Sequence, residues 1–299
     1  MRITKLGEFG LIERLRKRIK TDSALVIKAS GDDCAVLALN KDEYQLFTCD
    51  MLVEGIDFSH HEKPYLIGRK SLAVSISDIA ACGGSPRYCL ISLGLPKETS
   101  VEFVDMLFKG MTDIARKFKI NIVGGDLSRA EQLTIDVSML GVVEKESLVL
   151  RNGARKGDII FVTGELGGSI SGKHLSFTPR LKEARLLVKN FKVNAIIDIS
   201  DGLLQDLMHI LTENNCGAVL YEALIPLSKK AKNLKDALSW GEDFELLFTM
   251  SHSEAKKLLR RKYAYFKPIG EIIEKKYGFK LIDKQGREKN IRAEGFRHF

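Results

Sequence analysis

Residues 71–84, which read SLAVSISDIAACGG, are the most informative stretch of the chain. Apolar or small side chains occupy nearly every position, a pattern typical of a helix that is buried on all sides. Asp78 is the one charged residue in the stretch, and it stands near the C-terminal end, where the helix dipole disfavours a carboxylate. A buried carboxylate needs a cationic partner or a metal ion, and no Lys or Arg lies within one turn of Asp78. The stretch therefore predicts a buried helix, roughly residues 65–82, that carries a cation-binding carboxylate.

Other acids along the chain share this context, since each follows or ends an apolar segment beside Gly, Ser or Thr: Asp33, Asp50, Asp126, Asp198, Asp201 and Glu242. A single acid of this kind could simply cap a turn or a helix, as Asp78 could at Gly83 and Gly84. A set of seven predicts convergence on one cluster. Hard oxygen ligands suit Mg²⁺, and several such ions would neutralise a polyphosphate for phosphoryl transfer. Glycoside hydrolysis, the alternative for paired carboxylates, needs only two.

The composition argues against several classes of protein. The net charge of +8 is spread over helix faces without interleaved aromatic residues, so nucleic-acid binding is not expected. No apolar run reaches membrane-spanning length, and the charged N-terminal stretch is unlike a signal peptide. The five cysteines show neither metal-ligand nor disulfide spacing, which indicates a reduced, cytoplasmic enzyme.

Periodicity predicts alternating helices and strands, with a polar boundary between two domains at residues 151–158 (RNGARKGD). We expect a strand over 44–50 followed by a loop over 51–58, and a short strand over 120–123 that ends at the Gly124-Gly125-Asp126 motif. Residues 167–173 (GGSISGK) nearly spell a phosphate-binding P-loop, but His174 stands where Ser or Thr would hold magnesium. We interpret that segment as a helix N-terminus.

Short segments spaced over almost the whole chain are similar to the thiamine-monophosphate kinase family. Its superfamily includes aminoimidazole ribonucleotide synthetase, selenophosphate synthetase and a hydrogenase maturation factor. The segments are residues 7–9 (GEF), 31–33 (GDD), 50–55 (DMLVEG), 77–81 (SDIAA), 124–126 (GGD), 198–203 (DISDGL), 241–246 (GEDFEL) and 295–299 (GFRHF). Ordered motifs over a full chain are far more specific than the isolated near-match to a P-loop.

The resemblance implies a two-domain aminoimidazole ribonucleotide synthetase-like architecture of the α/β and α+β classes. Residues 1–148 would form an N-terminal domain that binds Mg²⁺ and ATP and dimerises through its β-sheets. Residues 149–299 would form a C-terminal α+β domain that completes the ATP and substrate cleft. The implied enzyme is a cytoplasmic homodimer that transfers the γ-phosphoryl group of ATP directly and in line to thiamine monophosphate, giving thiamine diphosphate.

The resemblance also implies roles for individual residues. Several Mg²⁺ ions would be held by Asp33, Thr48, Cys49, Asp50, Asp78, Asp126, Asp198 and Asp201. ATP would contact Gly125, Asp126, Arg151 and Ser200, and the acceptor would contact Asp57 and Glu242. No side chain would act as a nucleophile, because positioning and metal electrostatics supply the catalysis.

Four positions depart from the family's pattern: Cys49 replaces Thr or Ser, Asp57 replaces His, Leu127 replaces Thr, and Ala293 replaces an aromatic residue. A thiol is a poor ligand for a hard ion such as Mg²⁺. These departures keep two alternatives open. One is a related superfamily enzyme that uses ATP with a different acceptor, and the other is a nucleotide-binding module without kinase activity.

Overall fold

Two β-sheets, one in each half of the chain, form the framework of the computed structural model, which describes residues 2–296. The last three residues of the closing motif, 297–299, therefore lie outside the described residues. Within the described residues, no helix is both long and apolar enough to cross a lipid bilayer. The division into domains at residue 148 stays a prediction, although each half contributes its own sheet.

The N-terminal sheet has six strands in the order β1-β2-β3-β6-β4-β5. Only β4 and β5 pair in parallel, and the other neighbours are antiparallel. The strands are β1 (Val26–Lys28), β2 (Ala35–Ala38), β3 (Glu43–Val53), β4 (Ser85–Leu95), β5 (Asn121–Arg129) and β6 (Thr134–Glu144). The helices of this half are α1 (Ile3–Leu6), α2 (Glu8–Arg16), α3 (Pro64–Ala81) and α4 (Val101–Phe118).

The C-terminal sheet has seven strands in the order β13-β12-β9-β11-β7-β10-β8, and only β9 and β12 pair in parallel. Its strands are β7 (Ile159–Thr163), β8 (Ala195–Asp198), β9 (Cys216–Tyr221), β10 (Leu246–Met250), β11 (Phe266–Glu274), β12 (Phe279–Ile282) and β13 (Glu288–Asn290). The helices are α5 (Lys173–Ser176), α6 (Leu181–Asn190), α7 (Leu203–Glu213), α8 (Leu234–Ser239) and α9 (His252–Arg260).

Helix α3 confirms the buried helix predicted from residues 71–84, and it begins with Pro64 in the first turn, where a missing N–H costs nothing. One side of α3 packs on β3 and β6 of the N-terminal sheet, and other positions contact α5, α6 and β8 of the C-terminal half. Its last residues, Ala80 and Ala81, belong to a hydrophobic cluster that is otherwise built from the C-terminal half. Because both halves pack on α3, side chains from both halves can meet along it.

Two local predictions were wrong. Strand β3 continues to Val53, so only the second part of the predicted loop over 51–58 is a loop, with its turn at Gly55. Strand β5 does not end before the Gly124-Gly125-Asp126 motif but runs through it to Arg129, paired in parallel with β4. In both places, pairing with a long neighbouring strand extends the strand beyond its own apolar residues.

Helices α3 and α4 cross where each has a glycine. A Cβ on Gly68 would lie 1.9 Å from the carbonyl oxygen of Leu107, and one on Gly110 would lie 2.0 Å from that of Tyr65. Neither distance is possible for a real side chain, so the two backbones touch at this crossing. The close approach fixes the position of α3 relative to the rest of the N-terminal half.

Candidate active site

Three carboxylates from distant parts of the chain meet between the two halves of the molecule. Asp33 precedes β2, Asp78 lies on α3, and Asp198 ends β8, and these side chains place oxygen atoms within 4.8 Å of one another. Each of the three acids adjoins an apolar strand or helix that packs in the core. This position explains why all three carboxylates lie at the edge of the core. The structure thus brings together three of the predicted metal ligands.

Hydroxyl groups hold the predicted carboxylates in place. The Ser77 Oγ donates to Asp198 Oδ2 at 2.7 Å, and the Thr48 Oγ1 donates to Asp78 Oδ2 at 2.5 Å. The Ser75 Oγ likewise donates to Asp50 Oδ2 at 2.6 Å. Two of the three hydroxyls come from α3 itself, so the helix supplies both a carboxylate and the groups that orient its neighbours.

Burial, and after it the charges of neighbouring carboxylates, raise the pKa values within this cluster. Burial, followed by the charge of Asp33, raises the pKa of Asp198 to about 8. Burial also raises the pKa of Asp50 to about 6 against the opposing hydrogen bond from Ser75. For Asp78, burial and then the charges of Asp50 and Asp198 raise the pKa well above its ordinary value. Such a cluster requires bound cations if all of its members are to be ionised near neutral pH.

Arg151 is a cation at the edge of this cluster. Its Nη2 lies 2.6 Å from Asp33 Oδ1, and its backbone N–H donates to Asp32 Oδ2 at 3.2 Å. The other oxygen of Asp33, Oδ2, is buried and has no hydrogen-bond partner. One guanidinium therefore compensates part of the negative charge and leaves a buried carboxylate oxygen for a further cation.

A cleft of about 910 Å³ opens beside the cluster and is bounded by both halves of the chain. Its lining includes residues predicted to bind metal, ATP and the acceptor. They are Asp50 and Asp201 for metal, Ser200 for ATP, and Asp57 and Glu242 for the acceptor. Among the described residues that line the cleft, none is Lys or Arg and seven are acids: Asp50, Glu54, Asp57, Glu62, Glu131, Asp201 and Glu242. The cleft is therefore suited to metal ions and to a ligand that carries positive charge.

Glu242 stands in a loop of unusual backbone geometry. Its φ is +64°, and that of Phe244 is +48°, so two non-glycine residues close together are left-handed. The loop is held by backbone hydrogen bonds from Glu242 N to Ser200 O at 2.7 Å and from Phe244 N to Ile199 O at 2.8 Å. Backbone strain of this kind persists only where the surroundings enforce it, and it is concentrated at functional sites.

The side chain of Asp57 has a local partner. Its Oδ2 accepts a 2.7 Å hydrogen bond from the Val53 backbone N–H, which closes the turn after β3. Asp57 nevertheless lines the cleft. Its predicted contact with the acceptor stays a prediction.

Cys49 and Asp126 face away from the carboxylate cluster. Along β3, Leu46, Thr48 and Leu52 are buried and Phe47, Cys49 and Met51 are exposed, so Cys49 projects from the outward side of the sheet. Its Sγ lies 3.1 Å from Asp136 Oδ2, and burial raises the pKa of the thiol, helped by that hydrogen bond. A protonated thiol in this position is not a ligand of the buried cluster.

Asp126 lies on β5, at the edge of the sheet. Asp126 pairs in register with Ser92 of β4, and Ser92 pairs with Asp136 of β6. Asp136 in turn pairs with Met51 of β3, so all four side chains lie on the same side of the sheet. Three strand spacings, about 14 Å, therefore separate β5 from β3, and Asp126 shares the outward side with Met51. A Cβ on Gly125 would lie 1.7 Å from the Ile91 carbonyl oxygen, so strand packing alone already requires glycine there. The ligand roles predicted for Gly125 and Asp126 stay predictions.

The segment that resembles a P-loop has another use. Residues 169–171 form a short 3₁₀ turn, and Lys173 opens α5. The Lys173 Nζ lies 2.7 Å from Oε1 of the buried Glu245, whose carboxylate also binds Arg180 through two hydrogen bonds. The lysine is thus part of a structural ion-pair network, as expected for a helix start rather than a phosphate cradle.

Sequence reasoning missed several residues that shape this site. Ser75 and Ser77 carry a readable signal, because they interrupt the apolar surface of a buried helix just before Asp78. Asp32 could have been suspected beside Asp33. Lys70 is a different case, because its importance depends on contacts with Asp57 and Glu242 that only the folded chain creates.

Comparisons with known proteins agree along the length of the chain. Residues 31–143 match the family described as AIR synthase related protein, N-terminal domain, and residues 155–282 match its C-terminal domain. A thiamine-monophosphate kinase of Buchnera aphidicola subsp. Acyrthosiphon pisum is 35% identical, with 99% of each chain covered. The corresponding enzyme of Bacillus subtilis is 32% identical over 98% of this chain and 100% of its own.

Solved structures give the same picture. A structure described as AaThiL complexed with AMPPCP and TMP superimposes with a TM-score of 0.87 at 30% identity, covering 100% of this chain and 99% of the other. A hydrogenase maturation protein, HypE, in complex with ATP shares 18% identity and a TM-score of 0.71 over 85% of this chain and 86% of its own, which shows a common fold alone.

Proposed function

The chain belongs to the thiamine-monophosphate kinase family, within the AIR synthase related proteins, and on that premise we propose that it transfers the γ-phosphoryl group of ATP to thiamine monophosphate. The products are thiamine diphosphate and ADP. The observation that carries the proposal is the meeting of Asp33, Asp78 and Asp198 beside an acidic cleft, in a fold shared with a relative described as bound to AMPPCP and TMP.

Magnesium fits the residues present. The cluster offers hard carboxylate oxygens, and the buried Asp33 Oδ2 has no partner of its own. Asp33, Asp50, Asp78 and Asp198 would hold the ions, with Thr48 orienting Asp78, and Asp201 lies on the adjoining wall of the cleft. When bound, Mg²⁺ neutralises charge on the phosphates and leaves the terminal phosphoryl group open to attack.

The chain's own residues bind and orient the two substrates. Arg151 offers a positive charge at the cluster's edge for the nucleotide, and Ser200 places a hydroxyl on the cleft wall near the start of α7. The acceptor's phosphate supplies the attacking oxygen, so transfer is direct and in line and needs no nucleophilic side chain. The acidic cleft suits the acceptor because the thiazolium ring of thiamine is a cation, and Glu242 and Asp57 stand where they can face it.

A homodimer formed through the N-terminal sheet is part of the proposal. The outward side of that sheet exposes large apolar side chains at Phe47, Met51, Tyr88 and Leu90. An apolar surface of this kind is typical of an interface. A dimer would also give Asp126 and Cys49 a place in a site, because both face outward and would approach the second protomer. We place the enzyme in the cytoplasm, since all five cysteines are free thiols.

The proposal is tested with purified protein, ATP, Mg²⁺ and thiamine monophosphate, separating the products by chromatography. We expect thiamine diphosphate in equal amount to ADP. Asp78→Asn, which removes one carboxylate charge from the cluster with little change in shape, should lower the rate by more than about 100-fold.

Other results would contradict the whole proposal or its metal cluster alone. ADP without thiamine diphosphate would indicate a related enzyme with a different acceptor, and ATP binding without either product would indicate a nucleotide-binding module. A fully active Asp78→Asn variant would leave the kinase assignment intact but remove the shared metal cluster from it.

A further inference from the structure

Lys70 is a cation with no exposed surface. It lies on α3, two turns before Ser77, and its whole side chain is buried. Its Nζ donates to the Asp57 carbonyl oxygen at 2.6 Å and also contacts Glu242 Oε1 in an ion pair. A buried ammonium is costly unless it is paired. Both partners must therefore stay in place for the folded chain to tolerate it.

The two partners of Lys70 come from different halves of the chain, and both line the cleft. Asp57 lies in the loop between β3 and α3 of the N-terminal half, and Glu242 lies in the loop before β10 of the C-terminal half. The Glu242 side chain keeps 29% of its surface exposed, whereas Lys70 keeps none. One buried side chain thus joins the two loops, and the Glu242 side chain stays partly exposed in the lining of the cleft.

The ion pair with Lys70 binds one carboxylate oxygen of Glu242, Oε1, and leaves the other, Oε2, for a ligand. Among the described residues, the hydrogen bond to its carboxylate goes to Oε1, which Lys70 occupies. The backbone beneath it is already fixed by the hydrogen bonds from Glu242 N and Phe244 N and by one from Ser169 Oγ to Glu242 O. With the backbone and Oε1 both held, the second oxygen, Oε2, can turn only within narrow limits.

We infer that Lys70 is a positioning residue that fixes Glu242 and the Asp57 loop so that the Glu242 carboxylate meets the cationic part of the acceptor. This inference rests on the proposed kinase function and deepens it, because it assigns acceptor specificity to a residue that does not line the cleft. Neutralisation of Oε1 by Lys70 leaves the pair without net charge. A cation in the cleft therefore interacts with an oriented dipole rather than with a mobile carboxylate.

The test is a double-variant cycle of Lys70→Met and Glu242→Gln, with steady-state kinetics for each substrate. Loss of a hydrogen bond to a charged group predicts a rise of about tenfold or more in the KM for thiamine monophosphate in each single variant. The KM for ATP should stay within about twofold of the wild type. If Lys70 acts through Glu242, the double variant should be no worse than the worse single variant.

The double variant also guards against misfolding. Lys70→Met alone leaves the partly buried Glu242 carboxylate without its cation, whereas the double variant removes both charges and should recover most of any lost thermal stability. Arg69→Met is the matched control. Arg69 is the neighbouring cation on α3 and donates to the carbonyl oxygens of Leu175 and Phe177 in the C-terminal half, but it does not line the cleft. It should lower the melting temperature and leave both KM values unchanged.

The outcomes separate the inference from the function. A wild type that makes no thiamine diphosphate overturns the proposed function and this inference with it. A wild type that makes it, with variants that differ only in melting temperature, overturns the inference alone. So does a double variant whose loss equals the product of the two single losses, because the residues then act independently.

Discussion

At the scale of single residues, stability and metal binding are opposed. An aspartate ordinarily has a pKa of 3.8. In the folded protein the pKa of Asp198 is raised to about 8 and that of Asp50 to about 6. A carboxyl whose pKa is raised by folding stabilises the protein while it is protonated, and that contribution disappears as the pH rises through the folded-state pKa. The same residues must be ionised to bind Mg²⁺.

We therefore expect the melting temperature of the protein in a chelator to fall as the pH rises from about 4 to about 8, the range between the ordinary and the raised pKa values. Added Mg²⁺ should raise it more at the higher pH, because more of the carboxylates are then ionised. Thermal unfolding followed by circular dichroism, with and without Mg²⁺, measures both effects. Asp78→Asn should flatten the pH dependence, and a magnesium effect that is equal at both pH values would contradict the explanation.

Lys173 provides a second prediction at this scale. Its Nζ binds the buried Glu245, which keeps two further hydrogen bonds from Arg180. Lys173→Ala should lower the free energy of unfolding by about 1 kcal/mol and leave the KM for ATP unchanged. Arg180→Ala, which removes the bidentate partner, should cost about 3 kcal/mol. A collapse of ATP affinity in Lys173→Ala would instead restore the P-loop interpretation of residues 167–173.

At the scale of elements, the crossing of α3 and α4 depends on two backbones in contact. Gly110→Ala would place a methyl group 2.0 Å from the Tyr65 carbonyl oxygen, so the helices would have to separate. We expect a loss of about 2 kcal/mol or more in the free energy of unfolding, measured in urea. Gly10→Ala on α2 is the control, because the atoms nearest to its added methyl belong to the flexible Leu6 side chain rather than to backbone. That change should be neutral or stabilising, and equal losses at both positions would contradict the argument.

The sequence is informative about elements where local composition decides the outcome. The apolar stretch with one charge, Asp78, predicts the buried helix α3 and a cluster of acids beside it. The structure contains the helix and the cluster. Strand β5 could not be delimited, because its continuation through Gly124 and Asp126 is stabilised by pairing with β4. The outward direction of Cys49 also depends on strand register rather than on its neighbours in sequence. Nothing in the local sequence distinguishes Lys70 from the other basic residues, because its partner Glu242 is distant in sequence.

At the scale of the whole molecule, the proposed homodimer rests on the outward side of the N-terminal sheet. Leu90 of β4 lies on this side with 48% of its surface exposed, and Phe47 and Met51 of β3 are exposed on the same side, with β6 between the two strands. Leu90→Glu should convert a dimer into a monomer, because it places a charge in an apolar interface. Light scattering coupled to gel filtration measures the mass directly.

The control for the dimer is Leu259→Glu on α9, which is equally exposed at 47% but lies in the C-terminal half. It should leave the mass unchanged. If Asp126 of a second protomer completes the site, the Leu90→Glu monomer should also lose activity, whereas a fully active monomer would show that each protomer is sufficient. A wild type that is monomeric at all concentrations would contradict the dimer itself.

The burial of α3 on nearly every side has a consequence for how this enzyme can change over time. Its residues pack in the core, contribute to the carboxylate cluster and contact the loops that line the cleft. We therefore expect few single substitutions in α3 to leave both stability and activity unchanged. New acceptor preferences would have to arise elsewhere, in the loop over residues 54–63 and in the loop around Glu242, where side chains face the cleft. The molecule thus separates an inflexible phosphoryl-transfer centre from an adaptable acceptor side, and its evolutionary freedom lies in the second.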